Sequence, residues 1–139
     1  MANTTTHEER IKRELQSVGV TALGLLKFSI RYLPKVIREN EHIKAIAYGR
    51  YRVGEGPKSW GWEEGTLVAT DARVIFLERR PAFLHNDNIP YDAVTAAHAL
   101  TAWPFSSVTL LTKVGTFYLR YVRMGLADKF VNYVEDHHA

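Results

Sequence analysis

The sequence predicts a mainly β domain of seven short antiparallel strands, closed by one C-terminal helix and preceded by two N-terminal helices. Three observations carry this expectation. The hydrophobic period changes from about 3.6 to about 2 near residue 42, and returns to the helical value near residue 125. The stretch Gly65–Arg80, GTLVATDARVIFLERR, sets two apolar runs on either side of the turn signal Thr70-Asp71-Ala72-Arg73, the mark of neighbouring antiparallel strands. Leu126, Phe130, Tyr133 and Val134 share one face of a final helix. Such a helix suits one task, covering a curved sheet whose open end would otherwise expose apolar side chains and unpaired backbone.

Each element follows in order. Thr6-His7-Glu8-Glu9 has the form of a capping box, in which the Thr6 hydroxyl accepts an amide of the first turn and Glu9 reaches back. The short helix behind it places Ile11, Leu15 and Val18 on one side and stops at Gly19. A second helix is expected over about 21–33. Leu26, Ile30, Leu33 and Ile37 recur at helical spacing there, with Lys27, Arg31, Lys35 and Arg38 as a basic stripe alongside. Pro34 has no amide to donate and kinks or ends that helix, leaving 35–40 as a separate helical turn.

In Ile43–Val53, the residues Ile43, Ala45, Ala47, Gly49, Tyr51 and Val53 alternate with Lys44, Ile46, Tyr48, Arg50 and Arg52, predicting a strand with one buried side. Gly54–Ser59 is a loop by composition. Strands follow over Thr66–Thr70, Arg73–Arg80, Phe83–Ile89 and Val94–Ala102. Asp71 is expected to hold the 70–73 turn by accepting backbone amides just ahead of it. Ser106–Thr112 and Thr116–Val122 form a hairpin around Lys113-Val114-Gly115, with Phe117, Leu119 and Tyr121 facing inward. The closing helix spans about 125–136, and Glu135, Asp136, His137 and His138 fray into solvent.

Composition narrows the function classes. A chain of 139 residues is one ordinary domain, and 46% hydrophobic with 12% aromatic content excludes global disorder. Without cysteine there is no disulfide, thiol nucleophile or thiolate metal site. The polar start MANTTTHEERIKRE is unlike a secretory signal. The apolar tract Val18–Leu33 is interrupted by Lys27 and Arg31 and falls short of a spanning helix. The expectation is a soluble cytoplasmic protein. Residues 1–40 hold seven Lys/Arg against four acids, whereas 41–139 hold eleven of each. The basic charge therefore belongs to the N-terminal segment, and a nucleic-acid partner is not expected.

No sequence motif of catalysis is present. There is no GxSxG, HExxH, GxGxxG or phosphate-binding glycine loop. His85-Asn86-Asp87 reads as a surface turn, and Glu63 and Glu64 as solvated charges on opposite faces of a strand. His7, His42, His98 and the pair His137-His138 are scattered and point to no metal site. Trp60 and Trp62 share a sheet face, and burial of at least one is expected.

The chain resembles the bacterial pleckstrin-homology-like domains of the YokE-like kind. The likeness rests on Glu41-His42-Ile43, on Gly65-Thr66-Leu67-Val68-Ala69-Thr70-Asp71-Ala72-Arg73-Val74-Ile75-Phe76-Leu77, on Ile89-Pro90-Tyr91-Asp92-Ala93-Val94 and on the Leu126/Phe130/Val134 helix. It covers roughly 41–136 and implies a partly open seven-stranded barrel or sandwich plugged by the C-terminal helix. The expected organisation is an N-terminal helical extension, 1–40, followed by a PH-like domain, 41–139. The resemblance implies no catalytic residues; the group consists of binding or assembly modules.

In lipid-binding pleckstrin-homology domains the first strand and its loop hold the phosphates of anionic lipids. By that resemblance Arg50, Arg52 and Lys58 are anion candidates, with Glu55, Glu63 and Glu64 diluting the field and a solvated edge as the competing reading. The N-terminal helices point to a non-catalytic module that self-associates, or meets a protein partner, through Leu26, Ile30 and Leu33. The alternative is peripheral binding to an anionic membrane through Lys27, Arg31 and Lys35 together with Arg50, Arg52 and Lys58. No cofactor or metal is expected.

Overall fold

The structure, a computed structural model, describes residues 4–52, 62–79 and 84–138. Seven strands, β1 (Ile43–Arg52), β2 (Trp62–Thr70), β3 (Val74–Arg79), β4 (Leu84–Ile89), β5 (Val94–Ala102), β6 (Phe105–Thr112) and β7 (Gly115–Arg123), form one antiparallel sheet in the order β4-β3-β2-β1-β7-β6-β5. The helices among the described residues are α1 (Thr4–Ser17), α2 (Phe28–Arg31), α3 (Leu33–Val36) and α4 (Met124–His137). The predicted strands and closing helix all form, with ends within a few residues of the sequence reading.

Pairing of β1 with β7 around Arg50 and Arg120 curls the sheet into a partly open barrel. At that seam a Cβ on Gly49 would lie 2.2 Å from the Arg120 carbonyl oxygen, so the two strands approach this closely only over glycine. Helix α4 packs against β1, β5 and β6 and brings Phe130 and Val134 fully into the core. Leu67, Leu77, Leu110 and Leu119 are equally buried, and Phe76 meets the rings of Tyr51 at 5.9 Å and Phe117 at 5.1 Å.

The sheet is covered on a second face as well. Helix α1 lies on β1 and α2 on β2 and β3. Ile46 and Tyr48 are therefore as buried as Ala45 and Ala47. The expectation of a single buried side for β1 is corrected, because the N-terminal segment occupies the face that alternation left to solvent. Ile11, Leu15, Val20, Ile30, Leu33 and Ile37 belong to the same core cluster as the strands.

The N-terminal segment differs from the sequence reading in its detail. Helix α1 begins at Thr4, so Thr6 lies within its first turn instead of capping it. It ends as expected: Gly19 adopts φ +105°, its amide donates to Gln16 and that of Val20 to Leu15, a Schellman ending. The single helix expected over 21–33 does not form. A 3-10 turn at Gly24–Leu26 gives way to extended Lys27, then to α2, and Pro34 sits in the first turn of α3. The break has a tertiary cause. Glu64 of β2 accepts from the Ser29 amide at 3.0 Å and the Ser29 hydroxyl at 2.6 Å, pinning the start of α2 to the sheet. Glu64 is thus a structural acceptor and not the solvated charge expected.

Three further positions correct the sequence reading. The 70–73 turn is held by Thr70, whose hydroxyl accepts from the amides of Ala72 and Arg73 at 3.1 Å each. Asp71 instead accepts from the His42 amide at 3.0 Å while its own amide donates to the His42 carbonyl, joining the turn to the start of β1. In β7 a register shift against Ser106–Val108 accompanies a positive φ of 59° at Tyr121. That bulge sends Tyr121 outward and turns Val122 into the core in its place. Helix α4 extends to His137, and Glu135 is docked by accepting from the Ala97 amide of β5 at 2.9 Å.

Candidate functional site

A buried ion pair fixes the N-terminal segment to the sheet. The Arg73 guanidinium donates to both Glu41 carboxylate oxygens at 2.8 and 2.9 Å, to Asn88 Oδ1 at 2.6 Å and to the Val36 carbonyl at 3.0 Å. Glu41 also accepts from the Thr70 hydroxyl at 2.6 Å and the Arg38 amide at 3.1 Å. Burial alone raises a carboxyl; here the bonds from Arg73, Thr70 and Arg38 outweigh it and hold Glu41 down to about 2. Tyr91 closes the same corner by donating to the Thr70 carbonyl. A second anchor joins α1 to β1. Glu14 accepts from the Ile43 amide at 2.9 Å and Arg10 at 2.7 Å, with His42 Nδ1 at 2.7 Å, and these contacts overcome burial to lower its carboxyl. His7 Nε2 lies 3.1 and 3.0 Å from the Pro34 and Ile37 carbonyls.

Between α1 and residues 22–34 these anchors leave an apolar groove of about 470 Å³, bordered by Ile11, Leu15, Leu25, Leu26 and Ile30, with Glu8, Lys12 and Arg31 among its charged lining. Leu23, Leu26 and Phe28 stand largely exposed in the same segment. The predicted face Leu26/Ile30/Leu33 is divided. Leu26 projects outward, whereas Ile30 and Leu33 are buried in the domain's own core. With the helix broken, the predicted basic stripe is dispersed too. The Lys27 ammonium lies 5.7 Å above the Tyr48 ring and the Lys35 ammonium 5.5 Å above Tyr32, while Arg31 borders the groove.

Of the first-strand candidates, Arg50 is exposed on the outer face of β1, opposite Arg120 of β7. Lys58 and the Arg52 side chain lie outside the described residues, as do Trp60 and the Trp62 side chain. Around Arg50 the structure assembles a surface that sequence reading missed. A hollow of about 220 Å³ is lined by Lys27, Tyr48, Arg50, Phe105, Tyr121 and Arg123. It shares Phe105 and Tyr121 with a second hollow of about 430 Å³ under the β5–β6 turn, where Leu100, Trp103 and Arg120 join the lining. Four cations, Lys27, Arg50, Arg120 and Arg123, thus line these two hollows from three separate parts of the chain. The available signal was Leu100, Trp103 and Phe105 clustered at a turn between two strands.

The structure also gathers Glu78, His85 and Asp87 on β3 and β4. His85 Nε2 lies 3.3 Å from Asp87 Oδ1 and 3.9 Å from Glu78 Oε1. Residues 85–87 lie within the strand expected over 83–89, where β4 pairs with β3 in the register Glu78↔His85 and Phe76↔Asp87, and the surface turn read for them does not form. His137 stacks on Tyr133 at 3.9 Å, and His138 Nε2 lies 2.6 Å from Glu135.

No protein-family model matches the chain, and no curated protein matches it. Among solved structures it is similar to the pleckstrin homology (PH) domain of USP37, with a TM-score of 0.50 and 13% identity over 67% of this chain and 95% of that one. A DUF1696-family protein with a pleckstrin-homology domain from Shewanella loihica PV-4 is also similar, with a TM-score of 0.48 and 14% identity over 78% of this chain and 92% of that one. The fold is pleckstrin-homology-like: seven antiparallel strands, a C-terminal helix, and N-terminal helices added in front. No described helix is long and apolar enough to cross a membrane.

Proposed function

We propose that the chain is a non-catalytic interaction module that self-associates through its N-terminal segment, a cytoplasmic relative of the YokE-like bacterial group. The observation that carries this reading is the apolar groove beside α1 together with Leu23 and Leu26, 79% and 67% exposed. A monomer in water rarely leaves such a combination uncovered. A second copy suits it, because Glu8 lines the groove together with Lys12 and Arg31. A two-fold contact can then set the acid of each copy against a base of the other. Ile30 supports the surface from beneath, as part of the groove lining. The histidines contribute to structure: His7 to the Pro34 and Ile37 carbonyls, His42 to Glu14, His138 to Glu135. Kinship to the YokE-like group rests on residues 41–43, 65–77 and 89–94 with the closing helix.

Size-exclusion chromatography with light scattering on the full chain tests the proposal. The wild type is expected to run as a dimer of the 15.9 kDa chain. Leu23→Asp/Leu26→Asp, at positions exposed in the single chain, is expected to leave the monomer folded by far-UV circular dichroism and to weaken association roughly a hundredfold, by placing charge where the dimer would cover two leucines. A wild-type protein that stays monomeric across a concentration series refutes the reading.

A further inference from the structure

We propose that Glu78, His85 and Asp87 form a binding site for a single zinc ion on the face of the sheet where β3 meets β4. His85 Nε2 lies 3.3 Å from Asp87 Oδ1 and 3.9 Å from Glu78 Oε1, and the three donor atoms all fall within 4.8 Å of one another. Ligands about 2.0–2.2 Å from a tetrahedral zinc stand about 3.4 Å apart, so an ion fits among these three with small side-chain shifts. The ladder sets them up. His85 is directly across from Glu78 and Asp87 from Phe76, and opposed residues of an antiparallel pair share a face. No metal was expected from the sequence, because only this register brings the donors of the two strands together. A hydrogen bond alone does not account for the cluster. One Nε2–H points at one carboxylate oxygen and not at two, and two carboxylates held this close oppose each other. A divalent ion answers all three donors at once. Each carboxylate lends one oxygen to it and keeps the other for a protein partner.

The donor set selects the metal. One imidazole nitrogen with two carboxylate oxygens suits zinc over magnesium or calcium, which take oxygen ligands alone. Zinc has no geometric preference of its own, so it tolerates the unequal spacings. Two carboxylates and a neutral imidazole balance its charge. The site is anchored on one side and open on the other. Glu78 is 7% exposed, whereas the His85 and Asp87 side chains are each 42% exposed and leave an entry path. A hollow of about 310 Å³, walled by Phe76, Phe117 and Tyr118, has Glu78 and Asp87 as its charged lining among the described residues. Three protein ligands beside space for a water at the fourth position make an open zinc site.

The test is isothermal titration of zinc chloride into the full chain, stripped of metal by a chelator and dialysed into a non-coordinating buffer. One zinc per chain is expected to bind with a roughly micromolar Kd, and magnesium and calcium roughly a hundredfold more weakly or not at all. His85→Ala and Asp87→Asn, both at partly exposed positions, are each expected to weaken zinc binding roughly a hundredfold, the share of one ligand among three. The control pair His137→Ala/His138→Ala, at the far end of α4, is expected to keep it. Cobalt(II) in place of zinc is expected to give the visible absorption of a four-coordinate nitrogen–oxygen site, lost in His85→Ala. Circular dichroism melting confirms that each variant is folded. Absence of one-to-one zinc binding, binding undiminished in either cluster variant, or its loss in the control pair overturns the proposal. The titration reads metal and not mass, so this inference and the self-association reading can fail separately.

Discussion

Arg73→Met isolates the joint that holds the N-terminal segment to the sheet. The substitution keeps an unbranched side chain at a 9% exposed site and deletes four hydrogen bonds, two to Glu41 and one each to Asn88 and the Val36 carbonyl. Glu41, 2% exposed, would retain only Thr70 and the Arg38 amide. A buried carboxylate stripped of its counter-charge costs about 3–5 kcal/mol. Against the roughly 5–15 kcal/mol of a whole domain, that is a large part of its stability. Urea unfolding followed by far-UV circular dichroism at neutral pH measures the loss. Removing the charge as well, in Arg73→Met/Glu41→Gln, is expected to return about half of it, because the uncompensated anion is gone. A single-variant loss below about 1 kcal/mol, or a double variant equal to the sum of its parts, would refute the reasoning.

The remaining predictions concern acid and the core. Glu41 is held at about 2 in the fold against an ordinary 4.5. Its stabilisation of about 3 kcal/mol is therefore complete above pH 4.5 and is lost as pH falls toward 2; the lowered Glu14 carboxyl acts with the same sign. Urea midpoints that stay flat from neutral pH to about pH 2.5 would contradict this. Phe130→Ala empties a fully buried site beneath α4 and is expected to cost about 3–5 kcal/mol. Unchanged melting would show that α4 does not plug the barrel.

The strands and closing helix were legible because two periods, alternation and the helical repeat, replace one another cleanly along the chain. The reading failed where a distant partner overrides the local period. Ile46 and Tyr48 look like an outer face until the N-terminal segment covers them. Leu26, Ile30 and Leu33 look like one helical stripe, but Glu64, 35 positions from Ser29, pins the chain between two short turns and divides them. Tyr121 and Val122 exchange roles through a bulge, which inserts a residue that alternation does not register. The candidate surfaces were half legible. Apolar N-terminal residues and Arg50 were singled out, yet the cradle around Arg50 depends on β7 meeting β1, a pairing between residues remote in sequence.

The bond between Glu41 and Arg73 joins positions 32 apart, and that from Arg73 to Val36 spans 37. During synthesis the first forty residues leave the ribosome before β2 and β3 exist to receive them. Ile11, Leu15, Ile30 and Leu33 must stay uncovered until residue 73 has emerged, since contacts between distant positions form only after the intervening loop can close. The segment made before the sheet is thus the one that docks late. Through that interval its apolar side chains face whatever lies nearby, including the same segment on a neighbouring nascent chain.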